Sequence, residues 1–241
     1  MVEQIINNAF AQRECEISGL KYWQSGIRET YGQHGEDIIA DSLLRVQLYR
    51  SGRNFDQLSY IEIGANHPVI HSSSYYFYRN YGARGVLVEP IPSLCEDLAR
   101  HRPGDRIVNC VISASHEATA TLYVTQYQPL SSLDRRHIEQ FAGEGSRVAE
   151  ELVVRNLHIN SFLENHAPER IDFLCVDCEG ADLEILAAMD MQRFRPILIQ
   201  CEASGEMMPF IDLFKARDYV FMATTDVNAF FVDAFAILGL R

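Results

Sequence analysis

Two acids and a glycine, set at the tips of successive apolar runs, are the residues of this sequence best placed to do chemistry. Residues 60–68 read Y-I-E-I-G-A-N-H-P and residues 85–90 read G-V-L-V-E-P, so Glu62 and Gly64 end one short run and Glu89 ends the next. Glycine at a strand-to-helix turn lets the backbone approach a ligand, and an acid on the following strand can accept hydrogen bonds from both ribose hydroxyls. The pattern points to a nucleoside. A pyrophosphate-binding turn would need G-x-G-x-x-G, and Gly64-Ala65-Asn66-His67-Pro68-Val69 supplies only the first glycine. Glu62 would repel a phosphate and suits a cation, which favours the sulfonium and ammonium of S-adenosylmethionine over NAD. Either acid alone could equally be an ordinary strand-end carboxylate; the pair is harder to dismiss.

The elements that must position these residues follow from hydrophobic period. Apolar runs at 58–63, 85–88, 107–112, 171–176 and 196–201 read as strands, separated by helical patterns. Such alternation gives a parallel sheet with right-handed crossovers. Ile91-Pro92-Ser93 opens a helix carrying Leu94 and Leu98, and another helix spans 180–189 after the fourth strand. Extra strands are expected at 120–124 and 151–155, around a polar segment at 131–146, and a hairpin is expected at 219–223 and 229–232. Residues 1–50 read as a helical extension and 51–241 as the ligand-binding domain, with Ser51-Gly52-Arg53-Asn54 between them.

Composition bounds the partners. The chain has 241 residues, 47% of them apolar, enough for one substantial core. Its formal charge of −12 argues against nucleic acid or an anionic membrane as partner, although Arg100-His101-Arg102 could form a local basic patch. A small-molecule substrate is expected, and a homo-oligomer is compatible with the composition. No apolar run is long enough to span a membrane and residues 1–14 lack a signal-peptide pattern, so a cytoplasmic location is expected. The six cysteines fit buried small hydrophobes in a reducing compartment; Cys175-Val176-Asp177-Cys178 lacks a second pair that would complete a metal site, and its cysteines would face opposite sides of one strand.

The motifs Y-I-E-I-G-A-N-H-P, G-V-L-V-E-P-I-P, I-V-N-C-V-I-S, S-S-L-D and I-D-F-L-C-V-D-C-E-G-A-D-L-E-I-L together resemble the FkbM family of S-adenosylmethionine-dependent methyltransferases. Upstream, Y-G-Q-H-G-E-D resembles an element found ahead of the core in one branch of that family, with Gly32 where the branch usually has Ser; His67-Pro68 is a second departure. The resemblance covers roughly residues 31–235 and implies a class I methyltransferase fold, a Rossmann-like, doubly wound sheet with a C-terminal antiparallel hairpin. It also implies methyl transfer, most often to a hydroxyl of a secondary metabolite or sugar. Carried over residue by residue, it places Glu62, Gly64, Ala65 and Asn66 at the methionine end, Glu89 and Pro90 at the ribose, and Asn109 or Cys110 near the adenine, although Asn109 could equally be a loop-side turn residue. Asp177 and Glu179 would face the transfer point, and Gln33, Glu36 and Asp37 would fold over the cofactor, although an amphipathic helix with a solvated acidic start would look the same.

Methyl transfer from a sulfonium is an in-line displacement that asks the protein to align the reactants and remove a proton. Asp177 is the first choice of base; His67, His71 and His158 are alternatives, each more readily a surface or packing residue. Asp177 and Glu202 end neighbouring strands and could share a Mg²⁺, although paired carboxylates there more commonly serve the cofactor or the fold, and no residue is assigned to a metal. A nicotinamide-dependent oxidoreductase on the same sheet and a non-catalytic nucleoside-binding module are the competing functions. The polar segment at 131–146, the N-terminal segment and the loop after the fifth strand are expected to form the acceptor pocket.

Overall fold

Strands buried on both faces, rather than on one, show that this sheet is covered by helices on each side. The computed structural model describes residues 13–17, 20–24, 29–141 and 144–239. In chain order the elements are β1 (Arg13–Ile17), β2 (Leu20–Gln24), α1 (Glu36–Arg50), β3 (Ser59–Ile63), α2 (Tyr75–Tyr81), β4 (Arg84–Val88), α3 (Pro92–His101), β5 (Arg106–Val108) and β6 (Val111–Ser113). They continue with β7 (Thr119–Thr125), α4 (Arg135–Glu139), β8 (Val148–His158), α5 (Ile159–His166), β9 (Phe173–Val176), α6 (Asp182–Ala188), β10 (Leu198–Glu202), α7 (Met207–Lys215), β11 (Tyr219–Thr224), β12 (Asn228–Asp233) and α8 (Ala234–Ile237).

The central sheet has seven strands in the order β11-β12-β10-β9-β3-β4-β5. The five from β10 to β5 are parallel, and β12 runs antiparallel to both β10 and β11. This is the doubly wound class I methyltransferase arrangement with the expected terminal hairpin. Alternation along the strands divides the core. Tyr60, Leu87, Phe173, Leu198 and Phe230 meet Ala40, Leu44 and Leu48 of α1, which lie four residues apart on one stripe. Ile61, Val86, Leu174, Ile199 and Phe231 pack on the other face against Phe162 of α5, Ile185 of α6 and Phe214 of α7.

Three expectations are corrected. Arg13–Ile17 and Leu20–Gln24 are two antiparallel-paired strands rather than helix; in the sequence polar and apolar residues tend to alternate there with a period of two. Among the described residues of the anticipated N-terminal helices, only Glu36–Arg50 is helical; residues 1–12, 18–19 and 25–28 lie outside the described residues. By contacts, residues 1–30 and 31–241 are separate units, so α1 belongs with the sheet. The run at 107–112 is not one strand: it breaks at Asn109-Cys110, leaving β5 in the central sheet and sending β6 into a side sheet of order β6-β8-β7. A continuous apolar run does not mark where a chain changes sheets.

Register sets the level of the site. Ile63 pairs with Val88 and Val176, and Val176 with Cys201, so Gly64, Glu89, Asp177 and Glu202 emerge side by side at the carboxyl edge. That edge is where open α/β sheets bind ligands.

Candidate active site

A cleft of about 1110 Å³, counting the open solvent at its mouth, lies along this edge. Gln33, Gly64, Ala65, Asn66, Glu89, Pro90, Cys110, Asp177 and Glu179 line it, so nine of the expected site residues converge. They come from five separate segments, before α1 and after β3, β4, β5 and β9, which is why only the fold brings them together.

Gly64 is required by backbone proximity. Its φ is +83°, and a Cβ there would stand 1.8 Å from the carbonyl oxygen of Asp177. Asn66 follows at φ 45°, its N–H donating to Glu89 Oε2 at 2.9 Å, while Ile91 N–H donates to Glu89 Oε1 at 2.8 Å. Each Glu89 oxygen retains a lone pair for a ligand hydroxyl. Burial raises the Glu89 carboxyl to about 7 against the opposing pull of these two N–H groups. Beside it, Ile91, Val111, Ile112 and Leu122 make an apolar slot.

Two expected ligand contacts are instead supports. Glu62 does not line the cleft: its carboxylate accepts from Ser73 N–H at 2.8 Å, Ser72 Oγ at 3.0 Å and Ser74 Oγ. Burial raises its pKa, with Arg102 opposing. On β3 it shares the face of Tyr60, pointing under the loop rather than past the strand tip. Asn109 is also off the cleft, donating through Nδ2 to the carbonyls of Glu89 and Pro90, both at 2.9 Å. It fastens the turn that presents Glu89. Arg102 is fully buried and bonded to Asp105, Tyr60, Ser72, Ser74 and Pro68, so the expected basic patch does not form.

The N-terminal segment contributes Gln33 and Glu36, whereas Asp37 turns away to accept Tyr31 N–H at 2.6 Å. Gly32 suits this packing, since a Cβ there would come within 2.7 Å of Glu36 Oε2. Among the alternative bases, His67 Nδ1 accepts Ile70 N–H at 2.9 Å in the loop, and His158 caps α5 and stacks on His116 at 4.2 Å. Only His71 of the three lines the cleft.

The acids around Asp177 are crowded. Asp177 is ringed by protein but opens on the cleft; burial, then Glu202, Glu62 and Glu36, raise it to about 7. Glu179 is raised to about 9 by burial and then by Asp177, Glu202 and Asp182. It adopts φ +47° before Gly180, whose absent side chain makes room for the His137 ring, and His137 Nε2 lies 3.3 Å from Glu179 Oε2. Ser132 Oγ holds the Glu179 carbonyl at 2.7 Å. Asp182, buried at the start of α6, accepts Cys178 N–H at 3.2 Å and Glu202 N–H at 3.3 Å, tying both turns together. Cys178 lies beyond the end of β9 in this turn, not on the strand with Cys175; burial raises both thiols.

Sequence reasoning missed Gln200, Asn228, Ser73, Gln128 and Pro129, whereas Ser131 and Ser132 open the polar segment expected at the acceptor pocket. Gln200 and Asn228 each have a buried side-chain oxygen with no donor. The isolated Tyr123–Ser132 bridge brings the polar segment back to the cleft. The loop after β10 does not line it; Asn228 of β12 does. No Lys or Arg is among the lining residues.

The Methyltransferase FkbM domain matches residues 62–233, well over half of the chain. No curated protein matches the sequence. Among solved structures, the chain is similar to the N-terminal domain of human METTL16 in complex with SAH at 9% identity and a TM-score of 0.46, covering 95% of this chain and 78% of that one. It is similar to a methyltransferase from Geobacter sulfurreducens at 10% identity and a TM-score of 0.42, covering 81% and 78%. An O-methyltransferase from Bacillus cereus in complex with SAH gives 12% identity and a TM-score of 0.39, covering 96% and 89%. With its own sheet order and the extent of the family match, the chain belongs to the FkbM methyltransferase domain family.

Proposed function

We propose that this chain transfers a methyl group from S-adenosylmethionine to a hydroxyl of a small molecule, of the secondary-metabolite or sugar kind. The observation that carries the reading is the makeup of the cleft: a glycine turn, a ribose-competent acid, an apolar slot and a wall of oxygen acceptors without any Lys or Arg. Such a wall suits a cofactor bearing a sulfonium and an ammonium and no phosphate. The undonated Gln200 Oε1, on a side chain only 2% exposed, suits an ammonium N–H. The cofactor, when bound, supplies a methyl group on positively charged sulfur.

Glu89 would hold the ribose hydroxyls and the apolar slot the base, with the Gly64-Ala65-Asn66 turn, Ser73 and Gln200 at the methionine end. Gln33 and Glu36 would close over that end. The acceptor would enter past Gln128, Pro129 and Ser131, which carry no positive charge to attract nucleic-acid phosphates. As the acceptor oxygen forms its bond to carbon, the carbon–sulfur bond breaks and the hydroxyl proton must leave. Asp177 is the group we assign to accept the hydroxyl proton, with Glu179 beside it fixing the approach.

Incubation with a methyl-labelled donor and a panel of sugars, phenols, amines and RNA tests this directly. Label on oxygen of a small molecule is the expected product. Transfer only to nitrogen or to RNA, or none with any acceptor while the protein stays folded, would overturn it.

A further inference from the structure

We propose that the chain carries a second ligand site, at the amino edge of the central sheet, which takes the phosphoryl group of a small organic phosphate. The site is a cavity of about 1120 Å³, counting the open solvent at its mouth, walled by the end of α1, the links that lead into β9 and β10, and the segment around α8. Ile171 and Ile197, which precede β9 and β10, line it, whereas Asp177, which follows β9, lines the acidic cleft. The two cavities therefore stand at opposite ends of the parallel strands, and the inference does not rest on the methyl-transfer reading.

Four arginines line this cavity, Arg50, Arg170, Arg193 and Arg195, on a chain of formal charge −12. Their commitments differ. Arg195 is held by Asp233, which accepts from its Nε at 3.0 Å and its Nη2 at 2.8 Å. Arg193 pairs with Glu164, but the two side chains are 59% and 44% exposed, and a pair so open to water yields readily to a competing anion. Arg50 donates Nη1 to the Ile237 carbonyl at 2.6 Å, which orients its guanidinium and leaves its charge uncompensated. The Arg170 guanidinium has neither an ion pair nor a hydrogen bond among the described residues. Glu169 is the only carboxylate among the described lining residues; it is exposed, so water and salt screen its repulsion.

A guanidinium fork matches two oxygens of a phosphate. A phosphate monoester, with nearly two negative charges at neutral pH, can engage more than one fork, whereas a carboxylate fills only one. Ile171, Phe194 and Ile197 give the cavity an apolar wall for the organic part of the ligand, the combination that small-molecule sites use. The walls are fixed rather than loose. Ile197 N–H donates to the Ile171 carbonyl at 3.1 Å, and Ser59 Oγ donates to the Arg170 carbonyl. Ser51 Oγ donates to the Gln47 and Leu48 carbonyls at 3.1 and 3.0 Å, so the last turn of α1 shows an anion fewer bare oxygens.

Calorimetric titration of the full chain with phenyl phosphate, inorganic phosphate and benzoate, at one fixed ionic strength, tests the site. Phenyl phosphate is expected to bind once per chain and more tightly than the other two, and Arg50→Gln and Arg170→Gln are each expected to weaken it roughly tenfold. Both positions are exposed, so both variants should fold, which melting temperature and circular dichroism verify. Either variant answers if the other does not fold. No saturable binding of phenyl phosphate, or undiminished affinity in either folded variant, would overturn the site. Inorganic phosphate bound as tightly would overturn the organic part of the assignment, and benzoate bound as tightly would overturn the phosphoryl part.

Discussion

Asp177 lies where β3, β9 and β10 bring their acids together, so replacing it tests the chemistry with little change of shape. Asp177→Asn is expected to keep fold and cofactor affinity and to lower single-turnover methyl transfer by roughly 10²–10⁴-fold, the usual contribution of a positioned proton-transfer group. A near-normal rate would take Asp177 out of the reaction and turn attention to His71, the remaining histidine in the cleft. Gly64→Ala tests the turn. With φ at +83° and a Cβ 1.8 Å from a backbone oxygen, even a methyl must push β3 and β9 apart, so melting temperature and S-adenosylhomocysteine affinity should both fall. At this scale the sequence was legible for position, since Gly64 and Glu89 both line the cleft at the strand tips where they were expected. It misled at Glu62 and Asn109, because a carboxylate or amide at a strand tip can equally turn under its own loop, and spacing does not carry that choice. Gln200 and Asn228 gave no signal at all, being single polar residues inside apolar strands.

Among elements, the loop from β3 to α2 depends on a buried polar network. Arg102, at the end of α3, is fully buried between Asp105, Tyr60 and the serines that also hold Glu62. Arg102→Met would leave Asp105 as a buried charge without its ion-pair partner, a loss of about 3–5 kcal/mol by denaturant unfolding. A loss below about 1 kcal/mol would mean that water or a rearranged loop replaces the guanidinium. The central strands were legible because apolar runs of four to six residues alternated with helical patterns. The break between β5 and β6 was not, since Val108 and Val111 are both buried and only tertiary packing separates their sheets. The β1–β2 pairing was hidden for a different reason: with so few apolar residues in each short strand, period two and period 3.6 are hard to tell apart.

For the whole molecule, the concentration of acids at one edge has a consequence for stability. Burial raises Glu89 to about 7, above its ordinary value of 4.5, so the folded state holds a proton that the unfolded chain has released at intermediate pH. Stability from this group is therefore greatest below about 4.5 and is lost as pH rises through about 7. Glu62 is raised by burial in the same direction. The cofactor-free protein should thus lose roughly 1–2 kcal/mol from Glu89 between pH 6 and 8, seen as a falling melting temperature. A melting temperature that rises over that interval would show that these acids are ionised and satisfied in the folded state. Among the described residues no helix is long and apolar enough to cross a membrane.

The central claim is that the cleft binds S-adenosylmethionine through Glu89, and calorimetric titration of S-adenosylhomocysteine into the wild type and Glu89→Ala tests it most directly. Saturable binding to the wild type, weakened in the folded variant by roughly 1–3 kcal/mol as ribose hydroxyls lose their acceptor, is the predicted result. No heat with S-adenosylhomocysteine, or the same dissociation constant in Glu89→Ala, would contradict it.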